Sequence, residues 1–405
     1  MSQPMTNQEK TIKPQDVATT ALKLLTGKEQ GVARSGGIFT KEDLLNIWLY
    51  ARNGRSLPLT QNEVDEYVGY KSSGIAGLEP SDIRDLFQQI SRHCYDWEPV
   101  QKAVVNQGIE LKGFSGKFVT TGEGLIGFIK EMPVLERVKG TLRGASGLKP
   151  EDITYEAEDK EIAQSLGEIL EKMRVDTDAQ QKKTLAVKTA VSDYRLVLVG
   201  GKLSTGTDMP GLEPQVARKR KAMVENKLAE TIAADEKTLK EYDDRIEQLK
   251  KDYDKYVGLA FTGAAGGIIG LAITGGIFGA KAEAARKEKN ELIEKARVLR
   301  DKVSSSKKLQ KAMDTLALDF SEIGTRMLDA ETAMGHLEYM WASMLSLIEA
   351  SQEEWKNIDN GMKLTTFISS FRNVIDPWKE VGDLSGTLMD VIDEARAEYG
   401  KRYGT

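Results

Sequence analysis

The sequence predicts an all-α protein: an elongated antiparallel helical bundle forming a coiled-coil stalk, with an apolar helical hairpin at its head. Three observations carry this. Proline is scarce, at 10 in 405 residues, and apolar residues recur at alternating steps of three and four over long stretches, the period of an amphipathic helix. Convincing strands are absent, which disfavours the parallel-sheet enzyme folds. One uncharged run of 24 residues, Val257–Ala280, interrupts a chain that is 29% charged.

Taken in order, residues 1–15 read as a polar, disordered lead-in without the apolar core of a secretory signal. Asp16 caps a short helix through Leu25 that Gly27 stops. Thr40-Lys-Glu-Asp43 resembles a capping box opening a helix over Leu44–Arg52, closed by Gly54, and Thr60-Gln-Asn-Glu63 is a cleaner box for a helix to Tyr70. Gly77-Leu-Glu-Pro80, Gly147-Leu-Lys-Pro150 and Gly211-Leu-Glu-Pro214 each punctuate a helix start, because glycine ends one element and proline suits the first turn of the next. A helix follows Pro80 to about Met132, bent at Pro99. The helix after Pro150 carries Ile162, Leu166, Leu170, Met173, Leu185, Val187, Val191, Tyr194 and Leu198. Gly200–Pro214 is a loop. A helix from Val216 to Tyr256 would be about 60 Å long, and one from Lys281 to Ala350 about 100 Å, at 1.5 Å per residue. A last amphipathic helix carries Leu384, Leu388, Val391, Ala395 and Tyr399. The expected organisation is therefore a bundle over 16–240 and 300–405, and a head over 241–299 that bears the hairpin 257–280.

The uncharged run is long enough to cross a bilayer, which takes about 20 apolar residues. Eight of its residues are glycine. Gly263/Gly267, Gly266/Gly270 and Gly275/Gly279 have the spacing that lets two helices approach closely in lipid. Leu239, Tyr242, Ile246, Leu249, Tyr253 and Tyr256 form a seam before it. Met313, Leu316, Phe320, Ile323, Met327, Ala330, Met334, Leu337, Trp341, Met344 and Ile348 form a longer one after it. If the two seams fold onto each other, the apolar run is the tip of a hairpin. Val257, Leu259, Phe261, Ile268, Ile269, Leu271, Ile273, Ile277 and Phe278 are then its candidate membrane-contacting residues, and Gly263, Gly267, Gly270, Gly275 and Gly279 its packing positions. A buried core helix is the bland alternative. Between Lys281 and Lys311 lie eleven basic and five acidic residues. Lys281, Arg286, Lys287 and Lys289 are read as a basic collar suited to an anionic surface, against the plainer reading of a solvated coil face.

Signals for chemistry are weak. Gly122-Glu-Gly-Leu-Ile-Gly127 matches a dinucleotide fingerprint but lacks the βαβ setting, and reads as chance or helix packing. His93 and His336 are far apart in sequence, with no metal-ligand spacing, and His336 is placed on a helix surface. Cys94 is the single cysteine, read as a buried structural thiol. Arg218-Lys-Arg-Lys221 spreads around a helix and reads as solvated surface. A net charge of −5 gives no general case for nucleic acid. No catalytic residue, cofactor or metal is expected.

With its length, helix order and the Val257–Ala280 tip, the chain resembles the alpha-xenorhabdolysin family. The likeness is to the larger A component of these binary alpha-helical pore-forming cytolysins. The resemblance implies a relative of the cytolysin A fold, a target-cell lipid membrane as one partner, and a smaller B-component protein as the other. In such a pair A engages the membrane, B supplies the fully spanning helices, and both enter a hetero-oligomeric ring. It also implies secretion in soluble form without an ordinary signal peptide. Two arms of 12 residues would each reach about 18 Å, short of the roughly 30 Å hydrocarbon core, so a hairpin dips where a straightened helix crosses. The competing class is a structural or adaptor coiled-coil protein with a membrane anchor.

Overall fold

A computed structural model describes residues 16–26, 38–68, 72–142, 149, 152–225, 233–261, 275–303 and 308–404. The helices among them are α1 (Val17–Thr26), α2 (Lys41–Arg55), α3 (Gln61–Val68), α4 (Pro80–Lys130), α5 (Pro133–Leu142) and α6 (Ala157–Val199). A two-residue antiparallel ladder, β1 (Gly201–Lys202) and β2 (Asp208–Met209), lies in the loop expected over 200–214. Then come α7 (Leu212–Glu225), α8 (Ala233–Phe261), α9 (Gly275–Val303), α10 (Lys308–Lys356), α11 (Gly361–Ile375) and α12 (Pro377–Tyr403). The fold class stands as expected: all-α, with long antiparallel helices.

Local chemistry starts several helices where the spacing predicts. Thr40 and Asp43 form a reciprocal capping box on α2, and Thr60 and Glu63 do the same on α3. Pro80 occupies the first turn of α4, behind Gly77 at φ 83°. The 51 residues of α4 run through Pro99 and span about 77 Å. Gly54 does not end its helix. It is buried inside α2, where an added Cβ would sit 2.2 Å from the Cys94 sulfur. The start expected at Pro150 falls instead at Ala157. Residues 153–155 are extended, because Tyr155 N–H donates to the Asp359 carbonyl and Gly361 N–H to that of Ile153.

The body core forms where α4, α6, α10 and α12 meet. Every member of the long downstream seam, from Met313 to Ile348, is buried in it. Phe114, Trp341 and Trp378 pack there with ring centroids 4.8–5.3 Å apart. Gly122 lets α4 approach α11: a Cβ there would meet Ile375 Cδ1 at 2.3 Å, while Gly124 and Gly127 face open space. Leu185, expected inside, is exposed. His93 bridges two elements. Its Nε2 donates to the Tyr194 carbonyl at 3.0 Å, leaving Nδ1 to accept from the Tyr50 hydroxyl at 2.7 Å. His336 is half-buried rather than on the surface.

Ion pairs fix the directions of the long helices. Lys188–Glu338 at 2.6 Å and Arg195–Glu331 at 2.9 Å set α6 antiparallel to α10. Arg220–Asp243 at 2.8 Å and Lys250–Glu213 at 2.6 Å set α8 antiparallel to α7. Arg297–Asp319 at 2.9 Å and Lys289 Nζ to the Ser321 carbonyl at 3.3 Å set α9 antiparallel to α10. The single helices expected over 216–256 and 281–350 are therefore each two helices that double back. A periodicity that resumes after a reversal reads the same as one that never stopped. The two seams consequently do not pair with each other: the upstream seam packs on α9, and the downstream seam faces the body.

Candidate membrane-directed hairpin and its docking face

The hairpin is α8 against α9. Its apolar seam is in two patches, Leu239 and Ile246 with Ile293 and Ala296, then Leu249 and Tyr253 with Ala282 and Ala285. Tyr242 and Tyr256 flank them, so all six predicted seam residues of the upstream arm face α9. The antiparallel pairing brings Phe261 and Gly275 to the same end of the hairpin. The first patch reaches Leu318 of α10 and the second reaches Leu328. The described part of the hairpin thus runs along α10 from Leu318 towards Leu328.

Of the candidate contact and packing residues, Val257, Leu259, Phe261, Gly275, Ile277, Phe278 and Gly279 have helical backbone, and their side chains lie outside the described residues. Gly263, Gly267, Ile268, Ile269, Gly270, Leu271 and Ile273 lie outside them altogether. Among the described residues no helix is long and apolar enough to cross a membrane, and no acidic, histidine or cysteine cluster could hold a metal ion.

The basic collar divides. Lys281 is exposed, its ammonium 5.8 Å from the Tyr256 ring centroid. Lys287 is exposed and 3.8 Å from Glu283. Arg286 is committed to Glu283 by two bonds of 2.8 and 2.9 Å. Lys289 is no part of a surface collar. It is fully buried between α9 and α10 and donates to Thr325 Oγ1 and the Ser321 carbonyl, both uncharged. Burial holds its ammonium down to about 7. The reason is its register: Lys289 falls between Ala285 and Ile293 at steps of four, on the buried face of α9. That step pattern was available in the sequence, and counting charges along the segment missed it.

Around Lys289 the docking face is rich in charge. Arg297 reaches Asp319 and, at 3.2 Å, Glu322. Arg326, 2% exposed, bonds both Glu322 and Asp43 of α2. Burial pushes the Asp319 carboxyl up to about 6 against the pull of Arg297. Burial also works to raise Glu322, but Arg326 and Arg297 outweigh it and hold its pKa below the usual range. Arg220, from the basic run expected to be solvated, ties α7 to Asp243 of α8 and Asp314 of α10.

No family model and no curated protein matches the chain. Solved structures do. YaxA from Yersinia enterocolitica is 46% identical over 90% of this chain and all of its own, with a TM-score of 0.53. XaxA from Xenorhabdus nematophila is 38% identical with the same coverage and a TM-score of 0.50. A chain of the YaxAB pore complex is 47% identical, again covering 90% and 100%, with a TM-score of 0.52. Identity at this level over the relatives' whole length decides the question that the apolar run and its flanking seams raised: the chain belongs to the alpha-xenorhabdolysin family, with YaxA and XaxA, the A components of binary alpha-pore-forming toxins.

Proposed function

We propose that this chain is the membrane-engaging A component of a two-component pore-forming toxin, and that a smaller B protein joins it in a hetero-oligomeric ring. The carrying observation is the identity to YaxA and XaxA over 90% of this chain, together with the likeness to a chain of the YaxAB pore complex. In this reading the protein is released in soluble form and meets its target-cell membrane later. It asks for no catalytic group.

We assign first contact with the bilayer to the head, residues 241–299, and within it to the uncharged run 257–280. Its lack of charge supports this, as does the separate apolar seam that makes α8 and α9 a unit. Lys281 and Lys287, exposed where the run ends, suit an anionic surface. Flotation with liposomes tests the assignment. Ile269→Glu and Ile273→Glu should keep helical content but lose membrane association, since a charge at bilayer depth costs roughly 2.5–3.5 kcal/mol. Undiminished flotation would remove the run from the mechanism. Dye release should need the B protein, because a dipping hairpin leaves the far leaflet intact. Gly267→Leu and Gly279→Leu should bind but permeabilise poorly, as they block close helix approach. Full lysis by this chain alone would overturn the two-component reading.

A further inference from the structure

The α8–α9 hairpin is held to α10 differently from the way its own two helices hold each other. Between α8 and α9 the buried contact is an apolar seam, with the Arg245–Glu288 ion pair at 2.7 Å on its solvent side. Against α10, among the described residues, only Leu318 and Leu328 join that seam. Beside them α10 meets α9 through polar groups: Asp319 and Glu322 accept from Arg297, and Ser321 and Thr325 from Lys289, all four buried. Seated on that face is Lys289, wholly enclosed, whose two hydrogen-bond acceptors are both uncharged. A buried cation without a bonded counter-ion weakens the contact that buries it, because it regains full hydration on leaving.

We propose that the α8–α9 hairpin is a detachable unit and that Lys289 is its release element, a buried cation that keeps docking on α10 weak while leaving the hairpin itself intact. The proposal stands on the α9–α10 contact and does not need the toxin reading. Under that reading it identifies what readies the head to leave the body.

The charged groups facing Lys289 are Glu322 and Arg326 from α10, Lys250 and Asp254 from α8, and Glu213 from α7. Arg195 of α6 faces Asp254 in turn, and Asp43 of α2 is bonded to Arg326. Burial lowers the docked ammonium from 10.5 to about 7. Between those values the undocked state binds the extra proton, so docking strengthens as pH rises through that window and reaches its minimum below it. The share from Asp319 has the opposite sign, and lies between 3.8 and about 6. Docking is therefore weakest close to neutral pH.

Spin labels on Lys295→Cys of α9 and Ala186→Cys of α6, both exposed positions, report docking as an interhelical distance. Cys94 is buried, its thiol pushed up to about 12 by burial, and stays unlabelled. No membrane and no B protein are present, so the result is independent of pore formation. In the otherwise unaltered chain the docked-to-undocked ratio should rise between pH 7 and 10, by at most about tenfold per pH unit. Lys289→Met should raise that ratio at pH 7 and flatten the profile, with helical content by circular dichroism unchanged. Lys289→Gln, still uncharged but polar, should flatten it too. If both variants keep the unaltered profile, or if both undock, Lys289 is not a release element and the proposal fails.

Discussion

Replacing Arg326 by methionine tests how the body holds α10. The guanidinium is 2% exposed and holds two carboxylates that are themselves buried, Asp43 at 0% and Glu322 at 5%. Methionine fills much of the volume but supplies no positive charge. Glu322 retains Arg297 at 3.2 Å and the Asn46 amide at 3.0 Å. Asp43 retains its bond from Thr40 N–H at 2.8 Å. Removing one partner of a buried ion pair leaves an uncompensated charge and costs about 3–5 kcal/mol. The retained bonds place the expected loss near the lower end, about 3 kcal/mol. Because Arg326 holds Glu322 below its usual pKa, that stabilisation is present above about pH 4.5 and is lost as pH falls through the lowered value. The gap between the unaltered chain and Arg326→Met should therefore narrow in acid. Urea unfolding followed by circular dichroism at pH 7 and at pH 4 measures both. Adding Asp43→Asn should restore part of the loss at pH 7. A loss under about 1 kcal/mol at pH 7, or no recovery in the double variant, would mean the buried charges are hydrated and the network is not what fastens α2 to α10.

Other expectations follow from single contacts. Gly54→Ala should destabilise by about 1–3 kcal/mol through its clash with Cys94, and Cys94→Ala should relieve most of it, read as a coupling in a double-mutant cycle. Cys94 should resist thiol reagents at pH 8 until the protein unfolds, since burial pushes its thiol up to about 12. His93 is held neutral by burial, down to about 4. The unfolded chain takes up its proton below about pH 6.5, so stability should fall as pH drops from 6.5 to 4, and His93→Gln should flatten part of that slope in a pH series of melting temperatures.

How much of this was legible follows from what periodicity encodes. The seam from Met313 to Ile348 is buried throughout, because an unbroken alternation of threes and fours leaves a helix one apolar face. The boxes at Thr40 and Thr60 were readable because capping is local. What was not readable is relational. Nothing in the pattern tells a continuing helix from one that reverses, so periodicity alone predicts one rod for α7 and α8, and likewise for α9 and α10. Residues 153–155 lost the start expected at Pro150 to a pairing with 359–361, some 200 residues away. Gly54 looked like a stop, since glycine's other use, close approach to a distant sulfur, leaves no local mark.

Lys289 joins the legible and the illegible parts of the candidate site. Its charge placed it in a collar, while its register placed it in a seam, and register decided. Among the described residues, the α9 seam is mostly alanine at 282, 285 and 296, with Ile293 the one large aliphatic residue in its buried positions. Small residues bring α9 close to its neighbours and bury little apolar area, at about 25 cal/mol per Å². A lysine enclosed in so thin a seam opposes a contact that has little apolar area to offset it. The α8 side of the hairpin, with Leu239, Ile246, Leu249 and Tyr253, supplies the larger groups. The sequence thus puts its apolar surface where α8 meets α9 and its buried charge where α9 meets α10. That division favours separation between the hairpin and α10 over separation within the hairpin.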